Sequence, residues 1–155
     1  MTPAATATPT RADAEIHERI DTSAQALRAK DINALMAHYA PDTVTFDLMP
    51  LEMQGANAYR KNFEGWFASV QGPIDYEVRD LGITTRDDVA FCHYVARVRT
   101  TMKTGEQRDY LVRVTAGFQS MNGKWMITHE HVSLPFISME TMQAALASDR
   151  RSVAG

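Results

Sequence analysis

Cysteine is nearly missing from this chain. The single thiol, Cys92, stands inside a β-like run, which excludes an intramolecular disulfide framework and a cysteine-cluster metal site. A surplus of one charge is missing too. The formal net charge is −3 over 155 residues, which gives no reason to expect nucleic acid or an acidic membrane as partner. No stretch approaches the roughly 18 consecutive apolar residues of a membrane span, and there is no internal repeat. Residues 1–13, MTPAATATPTRAD, lack the continuous apolar core of a signal peptide and read as a disordered tail. The simplest compartment for such a chain is the cytoplasm. What is present is an ordinary globular composition, 45% hydrophobic and 23% charged, sufficient for one domain.

The stretch Tyr110 to Pro135 organises the rest. Two β-like runs flank Asn122–Gly123, a strong two-residue hairpin signal, because a type I′ turn needs positive φ at both central residues. In an unbroken strand beyond it, Trp125, Ile127, His129, His131 and Ser133 share one face. That turn sets Trp125 opposite Ser120, Ile127 opposite Phe118 and His129 opposite Ala116. A two-residue turn at Thr104–Gly105 sets Ala116 opposite His93. The two imidazoles would then flank a small residue across three strands, about 10 Å apart. One β-bulge would reverse this parity and bring His131 to the place expected of His129.

Upstream, Ala14 to Lys30 reads as a helix with an apolar stripe of Ile16, Ile20, Ala24 and Leu27. Asp31 caps a short helix carrying Ile32, Leu35, Met36 and Tyr39, stopped by Pro41–Asp42. Thr43 to Leu48 is a strand, with Thr43, Thr45 and Asp47 on one face. Gly55–Ala56–Asn57 opens a third helix whose aromatic stripe is Tyr59, Phe63, Trp66 and Phe67, and Gln71–Gly72–Pro73 ends it. From Ile74 the chain is mostly strand, and a phase slip near Arg79–Asp80 predicts a bulge. Val89–Thr101 and Gln107–Ser120 are long strands. Ser138–Ser148 reads as one or two helical turns. The fold class is therefore α+β: three N-terminal helices on one face of a strongly bent antiparallel sheet, over residues 14–138, with a partly helical tail at 139–155.

The segments YAPDTVTFD, QGANAYRKNFEGWF, LVRVTAGF and NGKWMITHEHVSLP resemble the nuclear transport factor 2-like, SnoaL-like superfamily, which includes ketosteroid isomerase and scytalone dehydratase. The resemblance implies a cone-shaped fold, a pocket at its open end and a homodimer through the sheet. Asp47 matches the position of the isomerase's general base. The isomerase's two acids are absent: Ser23 stands where its helix tyrosine falls, and Thr115 or Ala116 where its protonated aspartate falls. Steroid isomerisation itself is therefore not expected. An aspartate with two histidines is similar in composition to the set used by scytalone dehydratase.

The expected catalytic set is Asp47, His93 and His129. Tyr39, Phe63, Trp66 and Phe67 are its walls, and His131 and Arg113 are further binding residues. A base, a proton donor and a dry wall are what acid–base chemistry on a small hydrophobic carbonyl or hydroxylated compound requires. No cofactor and no metal are expected; His129–Glu130–His131 puts Glu130 on the face opposite its neighbours. Arg97 and Arg99 read as solvated or paired, and Cys92 as buried filler. The face carrying Cys92, Tyr94, Ala96, Val98, Thr115, Thr128 and Val132 is expected to meet a second copy. Two other readings use the same fold: a ligand-binding protein without turnover, and an association module.

Overall fold

A computed structural model describes residues 8–138 and 143–144. The first helix, α1 (Arg11–Ala29), starts three residues earlier than the apolar stripe requires. The reason is local: Thr10 and Asp13 form a reciprocal capping box that satisfies two backbone N–H groups. Ile16, Ile20, Ala24 and Leu27 are buried as the spacing predicts. Asp31 caps α2 (Ile32–Met36) by accepting from the Ala34 N–H.

Tyr39 is not on that helix; it opens β1 (Tyr39–Phe46). Pro41 and Asp42, expected as a stop, sit in an irregular part of that strand, where a missing N–H is tolerated. After β2 (Met53–Gln54), Gly55 at φ 84° leads into α3 (Ala56–Ser69). Strands β3 (Val70–Arg86), β4 (Val89–Met102), β5 (Gln107–Met121) and β6 (Lys124–Ser133) follow. Gln71–Gly72–Pro73 lies within β3, again at a register shift. Of the helical turns expected at Ser138–Ser148, most lie outside the described residues. Ser138 belongs to β7 (Phe136–Ser138) and Gln143–Ala144 form β8, and the two pair as a small ladder.

The main sheet is open, in the order β2-β1-β6-β5-β4-β3. It is antiparallel except where β1 runs parallel to β6. The bulge expected near Arg79–Asp80 is present, with Asp80 at φ 56° and a register shift between Arg79 and Gly82. Helices α1 and α3 cover the concave face. The core between them holds Ile16, Leu35, Tyr59, Ile74, Cys92, Ala116 and Ile127. Each large apolar side chain so buried contributes about 1.5–3 kcal/mol.

Two local features set which residues face that core. The Asn122–Gly123 turn is a type I′ turn as expected, with φ 51° and 77°, and Ser120–Trp125 and Phe118–Ile127 pair across it. The β4–β5 connection is different. It is a three-residue loop closed by Met102 N–H donating to the Glu106 carbonyl at 2.8 Å, with Gly105 at φ 87°. One extra loop residue moves the register by one. Cys92 therefore faces Ala116, and His93 faces Thr115. In β6 a bulge at Thr128 does the same: Phe118 pairs with Ile127, but Gly117 pairs with His129.

Candidate active site

The two register changes decide which side chains meet. Before the Thr128 bulge, Trp125 and Ile127 point into the core; after it, Glu130 does, and His129 and His131 turn to the outer face. Glu130, expected on the outside, is 6% exposed. His93 is exposed and belongs to an outer row, Gly82–His93–Thr115–His131–Phe46, read directly from the strand pairing. A Cβ on Gly82 would lie 2.6 Å from the His93 ring, so that imidazole lies over the glycine. His129 packs its ring against Phe46 at 5.0 Å and pairs through Nδ1 with the Val44 carbonyl at 2.8 Å. His131 is exposed and also meets Phe46 edge-on, at 5.6 Å. The expected convergence of His93 and His129 on Asp47 does not occur.

Asp47 does reach the interior. It lines a cavity of about 270 Å³ between α1, α3 and the concave sheet, together with Tyr39, Phe63, Trp66 and Glu130. Phe67 is buried and packs its ring at a tilt against Phe63 and Trp66. Arg113 lies outside, donating to the Ser133 hydroxyl. The face expected to meet a second copy is split by the same register change: Cys92, Tyr94, Ala96 and Val98 are buried under the helices, Val132 lines the cavity, and Thr115 is exposed on the outer side.

Glu130 is the one carboxyl side chain among the buried polar residues described. The Tyr59 hydroxyl donates to its Oε1 at 2.8 Å, and the Tyr39 hydroxyl reaches Oε1 at 3.1 Å and Oε2 at 3.2 Å. Burial pushes its carboxyl up to about 7, against the two phenol donors, which favour the anion; the Asp47 charge pushes it further up. Asp47 is held by the Leu48 N–H at 2.7 Å and the Asn62 side-chain amide at 3.3 Å. Burial raises its pKa as well, partly offset by the Leu48 N–H and the Tyr59 hydroxyl, which favour the anion. All five tyrosines of the chain, Tyr39, Tyr59, Tyr76, Tyr94 and Tyr110, line this one cavity.

Glu130 was not predicted because the bulge was not. The signal available was Gly117, an isolated glycine inside a strand, which marks bulges. Ala116, near the place of the isomerase's missing acid, is the cross-strand partner of Glu130. Ser23, at the place of the missing tyrosine, also lines the cavity. Among the described residues, no cluster of three or more His, Cys, Asp or Glu could hold a metal ion, and no helix is long and apolar enough to cross a membrane.

Comparison with known proteins agrees with this architecture. No curated protein matches the chain. An NTF2-like protein of unknown function from Pseudomonas putida KT2440 is 32% identical, with a TM-score of 0.79 over 88% of this chain and 94% of that one. A ketosteroid isomerase-like protein from Erwinia carotovora atroseptica is 21% identical, with a TM-score of 0.68 over 77% of this chain and 93% of its own. A protein provisionally described as a dehydratase of the NTF2-like family, from Streptomyces avermitilis, is 14% identical, with a TM-score of 0.72 over 81% and 97%. The last two speak for the fold alone. Residues 16–137 match the model of the SnoaL-like domain, and the chain belongs to that family.

Proposed function

We propose that the cavity binds a small hydrophobic carbonyl or hydroxylated compound and moves its protons without a cofactor. Asp47 is the base and Glu130 is the acid, in place of His93 and His129. The observation that carries this reading is that two carboxyl groups of raised pKa, Asp47 and Glu130, line one cavity. The Tyr59 and Tyr39 hydroxyls reach Glu130 Oε1 at 2.8 and 3.1 Å and Tyr39 also reaches Oε2 at 3.2 Å; in its protonated form the carboxyl would offer its O–H to a ligand oxygen. Asp47 would take a proton from carbon beside the carbonyl while Glu130 donates to the oxygen, giving a neutral enol. Return of the proton to another carbon gives isomerisation. Departure of a hydroxyl group as water gives dehydration.

Deuterium exchange at the α-carbon of simple cyclic ketones, followed by NMR, tests this without knowledge of the natural substrate. The wild type should accelerate exchange. Asp47→Asn should abolish it, and Glu130→Gln should slow it by about 10²–10⁴-fold. Binding without exchange would leave a ligand-binding protein in place of an enzyme.

A second copy is proposed on the outer face, where Phe46 and Phe91 are 38% and 48% exposed. Light scattering at micromolar concentration should give the dimer mass, and Phe91→Asp the monomer mass. A reducing compartment such as the cytoplasm suits the lone buried thiol Cys92, which burial pushes up to about 12 and keeps unreactive.

A further inference from the structure

Asp47 stands one residue beyond the end of β1, so the strand ladder does not fix where its carboxyl points. Two donors do. The Leu48 N–H meets Oδ1 at 2.7 Å, and the Asn62 side-chain amide meets Oδ2 at 3.3 Å. The first comes from the next residue and moves with the same irregular segment, whose Leu48, Met49 and Leu51 are exposed. The second reaches Asp47 from α3 and ties the carboxyl to a rigid element. The Tyr59 hydroxyl has one proton, and its 2.8 Å bond to Glu130 Oε1 engages it. Asn62 is therefore the side-chain donor that the base does not share with the acid.

The helix period explains how Asn62 comes to be there. Residues three and four apart share one face of a helix, so Asn62 falls in line with Tyr59, Phe63 and Trp66, and all four line the cavity. Asn62 is half-buried on this aromatic stripe, where an amide costs stability unless it is hydrogen-bonded. Its chemistry suits a base. A carboxylate beside an apolar wall drifts toward its protonated form, and a protonated base takes up nothing. A donor on Oδ2 favours the anion without adding a charge. A lysine or arginine there would hold the anion so firmly that it lost basicity. A donor on a fixed helix also sets the plane of the carboxylate, and with it the direction of the lone pairs that meet a carbon-bound hydrogen.

We propose that Asn62 is the positioning residue of the Asp47 base: from α3 it holds the carboxylate over the cavity and keeps it ionised. This deepens the proposed function and rests on Asp47 being the base there. Asn62 touches no reacting atom in this role and acts only through Asp47.

Two measurements on the full chain test it. One is carbon-13 NMR of side-chain-labelled aspartate, with Asp47→Asn assigning the signal. The other is the pH profile of α-carbon exchange of cyclohexanone. A base must be ionised to act, so exchange rises with pH through the Asp47 midpoint. Asn62→Leu, close in size and without a donor, should raise that midpoint by about one pH unit and move the rising limb of the profile with it. Above both midpoints kcat should still fall about three- to tenfold through lost orientation, with KM changed less than about twofold. Asn62→Asp keeps the shape and adds a like charge; it should raise the midpoint further, and it reads the contact if Asn62→Leu does not fold. A merely structural role would lower stability and leave the midpoint and the limb in place. That result overturns the positioning role and leaves Asp47 as the base. No exchange by the wild type would overturn the proposed function and this role together.

Discussion

The two faces of β4, β5 and β6 carry opposite chemistry. Inward stand Tyr94, Tyr110 and Glu130, among Val98, Val112 and Val114. Outward stand His93, Thr115, His129 and His131, bordered by ion pairs such as Arg97–Asp109 at 2.6 Å. On a strand, adjacent residues belong to different faces, so one added residue exchanges the two sets. Here this happens at the three-residue β4–β5 loop and again at the Thr128 bulge. The difference teaches that residue identity in a strand means little until its parity is fixed. The same six letters, ITHEHV, present either two imidazoles or one carboxyl to the cavity.

The largest effect should come from removing the feature that sets this parity. Deleting Thr128 would turn Glu130 outward and drive His129 and His131 into the core beyond it. Urea denaturation should show a loss above about 4 kcal/mol, or no cooperative transition at all. Retention of wild-type stability would mean that the outer and inner sets are interchangeable, contrary to the packing described.

The next effect is on pH dependence. The folded chain keeps the Glu130 proton up to about 7, whereas an unfolded glutamate releases it near 4.5. Stability should therefore fall as pH rises between those values, by on the order of 3 kcal/mol from this group. The raised pKa of Asp47 acts in the same direction. Urea midpoints measured from pH 4 to 8 should show the decline, and Glu130→Gln should flatten most of it. An equal slope in the variant would place the titrating group elsewhere.

Much of the fold was readable from residues alone. The α1 stripe, the Asp31 cap, the Asn122–Gly123 turn and the phase slip near Arg79–Asp80 each have a local cause, so local sequence reveals them. Phe63 and Trp66 line the cavity because α3 keeps its helical stripe, and Asp47 lines it beyond the end of β1; Tyr39 lines it too, but from β1 and not from the helix expected to carry it. The acid was not readable. Its placement depends on a loop one residue longer than Thr104–Gly105 suggested and on a bulge marked by Gly117, and the energy that selects them comes from tertiary packing. The three cavity tyrosines on β3, β4 and β5 were hidden for the same reason. Pro41–Asp42 misled in the opposite way: a turn-like pair was absorbed into a strand irregularity.

Smaller effects should mark the outer face. His93→Ala and His131→Ala should each change stability by no more than about 0.5 kcal/mol and leave ketone exchange unaltered. Gly82→Ala would place a methyl group against the His93 ring. That ring is exposed and can swing away, so the cost should stay under about 1 kcal/mol and vanish in a His93→Ala background. Loss of α-carbon exchange in either histidine variant would return the imidazoles to the mechanism.

The central claim is that Glu130, not a histidine, is the acid inside the cavity. Carbon-13 NMR of side-chain-labelled glutamate reads it directly, with Glu130→Gln assigning the signal. The Glu130 carboxyl should titrate near 7, and Tyr59→Phe, which removes the 2.8 Å donor to its anion, should move the midpoint higher. A midpoint in the ordinary glutamate range near 4.3, insensitive to Tyr59→Phe, would show Glu130 facing water and would contradict the account.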